Sequence, residues 1–179
     1  LYTARELEHQ LVDSGAEVIV VLENFAHTLA EVVGKTKIRH VIVTSMGELM
    51  GLKGVLVNFV VRRVKKMVKP WSIVHAIHLS DALAEGRRKT LQRVPIAHDD
   101  IAFLQYTGGT TGVSKGAVLT HRNLIANVLQ SEAWIRPQLD PDQALVAITA
   151  LPLYHIFALT ANSLTMIKLG AHNILIPNP

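Results

Sequence analysis

Cysteine is absent from the 179 residues, which excludes disulfides and thiolate-held metals and fits a cytoplasmic setting. Aromatic residues make up only 5% of the chain. No aromatic interleaving and no known nucleic-acid module accompany the net charge of +4, so nucleic acid is not an expected partner. No apolar run reaches the roughly 18 uncharged residues that a spanning helix needs. The N-terminus carries no secretory pattern of a basic, then apolar, then small-residue segment. What is present is a hydrophobic fraction of 49%, enough for a packed core and too high for disorder. The chain opens at Leu1 without a methionine and stops at Pro179, just past an apolar strand. Both ends are expected to be cuts in a longer chain.

The densest chemical signal follows the apolar run Ile101-Ala102-Phe103-Leu104-Gln105-Tyr106, which reads as a buried strand. Next comes Thr107-Gly108-Gly109-Thr110-Thr111-Gly112-Val113-Ser114-Lys115-Gly116. Loops of this composition hold phosphate. Glycines let backbone N–H groups turn toward an anion, the hydroxyls of Thr107, Thr110, Thr111 and Ser114 add donors, and Lys115 adds a positive charge. The Walker pattern fails, because Lys115 follows Ser114 and precedes Gly116. The dinucleotide fingerprint fails too, with glycines at 108, 109, 112 and 116. A solvated Gly/Thr loop is the bland alternative.

Tyr106 to Gly116 resembles the signature phosphate loop of the adenylate-forming enzymes: acyl-CoA synthetases, luciferases and nonribosomal-peptide adenylation domains. The continuation Ala117-Val118-Leu119-Thr120-His121-Arg122-Asn123-Leu124 resembles the acyl-CoA synthetase branch, as does Leu151-Pro152-Leu153-Tyr154-His155-Ile156-Phe157-Ala158-Leu159. The whole chain is similar to an internal piece of the bacterial long-chain fatty-acid–CoA ligases. The resemblance implies two steps, in which a fatty acid and ATP form an acyl-adenylate and coenzyme A then displaces AMP. It implies that 106–116 grips the ATP phosphates with Mg2+ present, Thr107 on the metal side and Lys115 acting on the reacting phosphates. It also implies that Tyr154, His155 and Phe157 line the acyl pocket, with His155 near the reacting carboxylate. The family's later Tyr-Gly-x-Thr-Glu element, ribose-binding aspartate and lysine-bearing C-terminal domain are not in this sequence, so the piece alone is not expected to turn over. A non-catalytic phosphate-binding or membrane-docking module is the rival class, and a medium-chain or aryl-acid ligase is the runner-up within the enzyme class.

Periodicity gives alternating elements. Residues 3–14 read as a helix with a Thr3/Glu6 capping box and a stop at Gly15. Strands follow at 17–22 and 38–43, around a short helix at 25–33. Beyond the phosphate loop, 121–134 is a helix capped by Thr120, and strands at 145–148 and 173–176 flank a helix at 156–169. This alternation predicts an α/β fold with a mostly parallel sheet flanked by helices, which the resemblance makes part of a large N-terminal domain. The expected divisions are a βα part (1–44), a basic amphipathic insertion or connector (45–98) and a phosphate-loop part (99–179).

Residues 53–69 contain Lys53, Arg62, Arg63, Lys65, Lys66 and Lys69 and no acid. At 100° per residue, Leu56, Val57, Val60, Val61, Val64, Met67 and Val68 share one arc, and Asn58, Arg62, Lys65, Lys66 and Lys69 the other. Two readings stand. The segment 53–71, with Trp71 at headgroup level, makes a peripheral contact with the inner face of an anionic membrane; or the helix buries its valine face and solvates its lysines. Of nine histidines, His121 opens a helix and reads as structuring the turn, while His155 follows Pro152-Leu153-Tyr154 at a strand-to-helix junction, where α/β folds place ligands. His75 and His78 are spaced to share a metal on a helix, but no third ligand accompanies them. His98-Asp99-Asp100 reads as a linker rather than a two-carboxylate site.

Overall fold

The computed structural model describes residues 2–107 and 113–176, which form two compact units divided between Val94 and Pro95. In the first unit, α1 (Ala4–Ser14) opens on the anticipated capping box. Thr3 Oγ1 accepts from the Glu6 amide at 3.3 Å, and the Thr3 amide donates to the Glu6 carboxylate at 2.7 Å. Gly15 ends the helix in the left-handed region, at φ 64°, which glycine adopts without a Cβ penalty. β1 (Val18–Leu22) and β2 (His40–Thr44) pair in parallel around α2 (Ala26–Ala30), and β2 also pairs in parallel with β3 (Ile77–His78). Leu11, Leu29, Val32, Val41 and Val43 make the core. β3 was not read from the sequence; it is two residues long, and it leads straight into α4 (Leu79–Gly86).

The second unit begins with an antiparallel hairpin, β4 (Ile101–Thr107) and β5 (Lys115–Thr120). α5 (His121–Ile135) starts where β5 stops, at Thr120, whose hydroxyl accepts from the Asn123 amide at 3.3 Å. β6 (Val146–Thr149) and β7 (His172–Leu175) then pair in parallel across a helical stretch. That stretch includes a π-helical segment (Ala158–Thr165) and ends in α6 (Met166–Leu169). The apolar run 101–106 was expected to be a buried strand, but Ile101 and Phe103 on β4 are exposed, as are Val18 and Val20 on β1. Each sheet has two or three strands, and helices of its own unit leave part of its apolar surface uncovered.

The basic segment departs furthest from expectation. α3 (Leu52–Phe59) continues as a π-helical turn (Val60–Val64) and stops there, short of 69, with Lys66 at φ 48°. The docked side draws on both expected arcs: Val61 is buried and Val57, Val60 and Val68 are half-buried, while Asn58 and Arg62 of the polar arc make contacts and Lys65, Lys66 and Lys69 stay exposed. Asn58 Oδ1 accepts from the Gly47 amide at 2.8 Å and its Nδ2 donates to Ser45 at 2.9 Å. Arg62 Nε donates to both oxygens of Glu23, at 3.0 and 2.9 Å, and the Glu23 side chain is only 7% exposed. Asn58 and Arg62, four apart, lie on one helix face, and the Lys65 amide bonds to the Val60 carbonyl at 2.8 Å in the i→i+5 turn that follows. Trp71 packs against the core cluster rather than standing clear of it. His75 lies in a left-handed turn and His78 on β3, so the helical spacing assumed for them does not exist.

Two predictions follow from these contacts. A Cβ on Gly54 would overlap the Gly47 carbonyl oxygen. Alanine ordinarily gains about 1 kcal/mol over glycine in a helix interior, but overlap with backbone costs about 1–3 kcal/mol. Gly54→Ala is therefore expected to lose stability in urea unfolding, and a gain would contradict this packing. Hydrogen bonding from the Thr3 amide, then from the Thr3 hydroxyl, lowers the Glu6 carboxyl below its ordinary value. That contribution is present above the unfolded carboxylate range and is lost as pH falls through the lowered folded value. Thr3→Ala keeps the amide bond and removes the hydroxyl one, so it should partly flatten this acid limb in a Tm-against-pH series, and an unchanged limb would show that the hydroxyl carries no linked proton.

Candidate active site

The hairpin β4–β5 fixes the two ends of the glycine/threonine run. Thr107 stands opposite Lys115, and Tyr106 opposite Gly116. Gly108, Gly109, Thr110, Thr111 and Gly112 lie outside the described residues. Of the remaining predicted loop positions, Val113 and Ser114 precede β5, while Lys115 and Gly116 are its first two residues. The Ser114 hydroxyl donates to the Thr107 carbonyl at 2.8 Å, tying the ends together. Gly116 has a steric reason: a Cβ there would meet the Tyr106 ring at 3.0 Å. Lys115 is exposed.

The second predicted element comes to the same place. Gln105 Nε2 donates to the Tyr154 carbonyl at 3.3 Å, holding the 152–155 turn beside β4. Gln105 and Thr107 are two apart and share one face of the strand. Gln105 was missed as a functional residue; its signal was a lone amide inside an apolar run. After the turn, the His155 carbonyl accepts from the Leu159 amide at 2.9 Å and its Nδ1 accepts from the Phe157 amide at 3.2 Å. His155 thus caps the helix that starts at Ile156. A ring nitrogen that accepts carries no proton, so the neutral imidazole holds its proton on Nε2. Tyr154 is 81% exposed and Phe157 is also exposed.

Other candidates fall elsewhere. An apolar groove of about 470 Å³ lies among Ala102, Phe103, Leu124, Ile125, Val128 and Leu129, and Tyr154, His155 and Phe157 do not line it. Asp99 pairs with Arg122 at 3.0 Å, and Asp100 accepts from the Ala97 amide at 2.7 Å, so the 98–100 linker is occupied in joining the start of α5. Among the described residues, no group of three or more His, Asp or Glu is placed to hold a metal.

A family model described as AMP-binding enzyme matches residues 1–179. This chain belongs to the AMP-binding enzyme family. It is 56% identical over its whole length to a long-chain-fatty-acid–CoA ligase of Escherichia coli O157:H7, covering 32% of that protein. A long-chain-fatty-acid–CoA ligase of Haemophilus influenzae is 52% identical, again over the whole chain and 32% of the relative. An ATP-bound MatB structure from Rhodopseudomonas palustris superposes on 99% of the chain with a TM-score of 0.69 at 26% identity, covering 29% of that chain. The chain thus spans about a third of the length of the curated relatives it matches.

The cap at His155 is testable. Losing such a cap costs about 1 kcal/mol. His155→Ala is expected to lower stability by about that much, and His155→Asn by less, because asparagine also accepts from the helix N-terminus. Equal losses in chemical unfolding would show that the imidazole bond carries nothing.

Proposed function

We propose that the chain is part of a long-chain fatty-acid–CoA ligase, and that the hairpin mouth and the Tyr154 turn are two walls of its adenylation site. The observation that carries this reading is the Gln105–Tyr154 hydrogen bond, which sets the aromatic-histidine turn two residues from Thr107. The likeness to long-chain ligases along the whole chain, and to an ATP-bound structure, supports the substrate choice.

In the first step a carboxylate oxygen of the fatty acid attacks the α-phosphorus of ATP, and pyrophosphate leaves. Negative charge then grows on the leaving phosphates. Lys115, Ser114 and the backbone of 107–116 are assigned to meet that charge, Lys115 as a point charge rather than a bidentate clamp. Tyr106, packed on Gly116, steadies the second strand of the loop. Thr107 offers one hard oxygen, which fits an Mg2+ that takes its remaining ligands from phosphate and water. His155, with Nδ1 committed to the helix, presents Nε2–H as a donor toward the carboxylate. Tyr154 and Phe157 form apolar wall. In the second step the coenzyme A thiolate attacks the acyl carbon and AMP leaves. With about a third of the relatives' length, the piece alone is expected to produce no acyl-adenylate.

The test is pyrophosphate exchange by the full-length ligase with a panel of fatty acids. Lys115→Ala is expected to cut fatty-acid-dependent exchange by about 10- to 100-fold, the range of one lost charge-assisted hydrogen bond. Exchange at the wild-type rate would remove Lys115 from the phosphate site. No exchange with any acid, in folded protein that still binds nucleotide, would favour the non-catalytic module.

A further inference from the structure

Resting on the adenylation-site reading for the place of His155, we infer that Gln105 is a positioning residue for the first chemical step. Its side-chain amide sets the orientation of His155 relative to the phosphate loop. In the run Ile101-Ala102-Phe103-Leu104-Gln105-Tyr106, Gln105 alone carries an amide side chain. β-Branched and aromatic residues suit a strand position better, so the ladder itself does not call for glutamine there. Gln105 stands opposite Ala117, and Thr107 stands opposite Lys115. These four side chains therefore share one face of the hairpin, the face that carries the loop's cation.

The acceptor decides what the amide does. Gln105 Nε2 donates to the Tyr154 carbonyl at 3.3 Å. That carbonyl and the His155 amide belong to one planar peptide unit. The His155 amide donates to the Pro152 carbonyl at 2.9 Å. Both edges of the plane are thus held, one within the turn and one by β4. Beyond the His155 Cα, Nδ1 accepts from the Phe157 amide at 3.2 Å, and the carbonyl accepts from the Leu159 amide at 2.9 Å. Of these four bonds, three lie within 152–159 and would turn with that segment as a body. The Gln105 bond refers the segment to the strand that ends at Thr107. Without it the turn keeps its own shape but loses its setting against the loop. Adenylation is sensitive to that setting, because a misplacement of about 1 Å between reacting groups costs about 100-fold in rate. Losing the bond should therefore slow the chemical step while leaving the grip on ATP intact.

The experiment is pyrophosphate exchange by the full-length ligase with palmitate and ATP, each titrated separately. Gln105→Met keeps the length of the side chain and removes its donor; Gln105→Ala removes the arm. In both, kcat is expected to fall about tenfold or more, with KM for ATP unchanged. In His155→Ala, which lacks the ring to be positioned, adding Gln105→Met is expected to lower the residual exchange no further, because groups that act as one unit are non-additive. A merely structural tie would lower the unfolding temperature and leave kcat of the folded protein at the wild-type value. Wild-type kcat in both Gln105 variants overturns the inference, as do losses that multiply in the double variant. If Gln105→Met does not fold, Gln105→Ala alone and combined with His155→Ala decides by the same criteria. Absence of fatty-acid-dependent exchange in the wild type would overturn the ligase reading and this inference with it, whereas normal wild-type exchange with multiplying losses overturns this inference alone.

Discussion

The antiparallel pairing of β4 with β5 is the constraint on which the candidate site depends. A Gly/Thr-rich loop has high conformational entropy, and its amides bind an anion only if ordering them does not cancel the gain. The hairpin removes much of that cost by setting Thr107 across from Lys115 before any ligand arrives. The same pairing places Gly116 under the Tyr106 ring. It also delivers Thr120 to the first turn of α5 as its cap. Gln105, on the strand that leads into the loop, reaches the Tyr154 carbonyl. One ladder therefore aligns loop, helix and aromatic turn, and a slip of one residue would turn Gln105 and Thr107 to the opposite face.

Much of this was legible in the sequence, for reasons that are local. Thr3 with Glu6, Gly15, and Thr120 act within one turn of chain, and each was found where expected. The parallel pairs β1–β2 and β6–β7 are βαβ units whose strands are runs of valine, isoleucine and leucine. The family resemblance of 106–116 and 151–159 was legible because its residue types and spacing are so specific. β5 was not read as a strand, because Lys115 and Gly116 belong to the loop motif and the alternation is broken by Gly116 and Ala117. Its identity comes from register with β4, which is a tertiary fact. His155 was read as a pocket residue, but its role in capping the following helix depends on ring orientation, which spacing does not encode.

The basic helix shows why a correct period does not by itself fix an orientation. Assigning the whole valine arc to the interior assumes that apolar area decides which face docks, yet Val61 is buried while Leu56 and Val64 of the same arc are exposed. Area is worth about 25 cal/mol per Å² wherever it is covered, so it does not choose among alternative covers. Directional contacts do choose. Glu23 is buried, and a carboxylate in that position without a partner costs several kcal/mol; Arg62 is the residue that meets it. Asn58 completes the turn at Ser45 and Gly47, and Gly54 and Gly47 approach so closely that neither tolerates a side chain. Once these three points are fixed, the helix has no rotational freedom left.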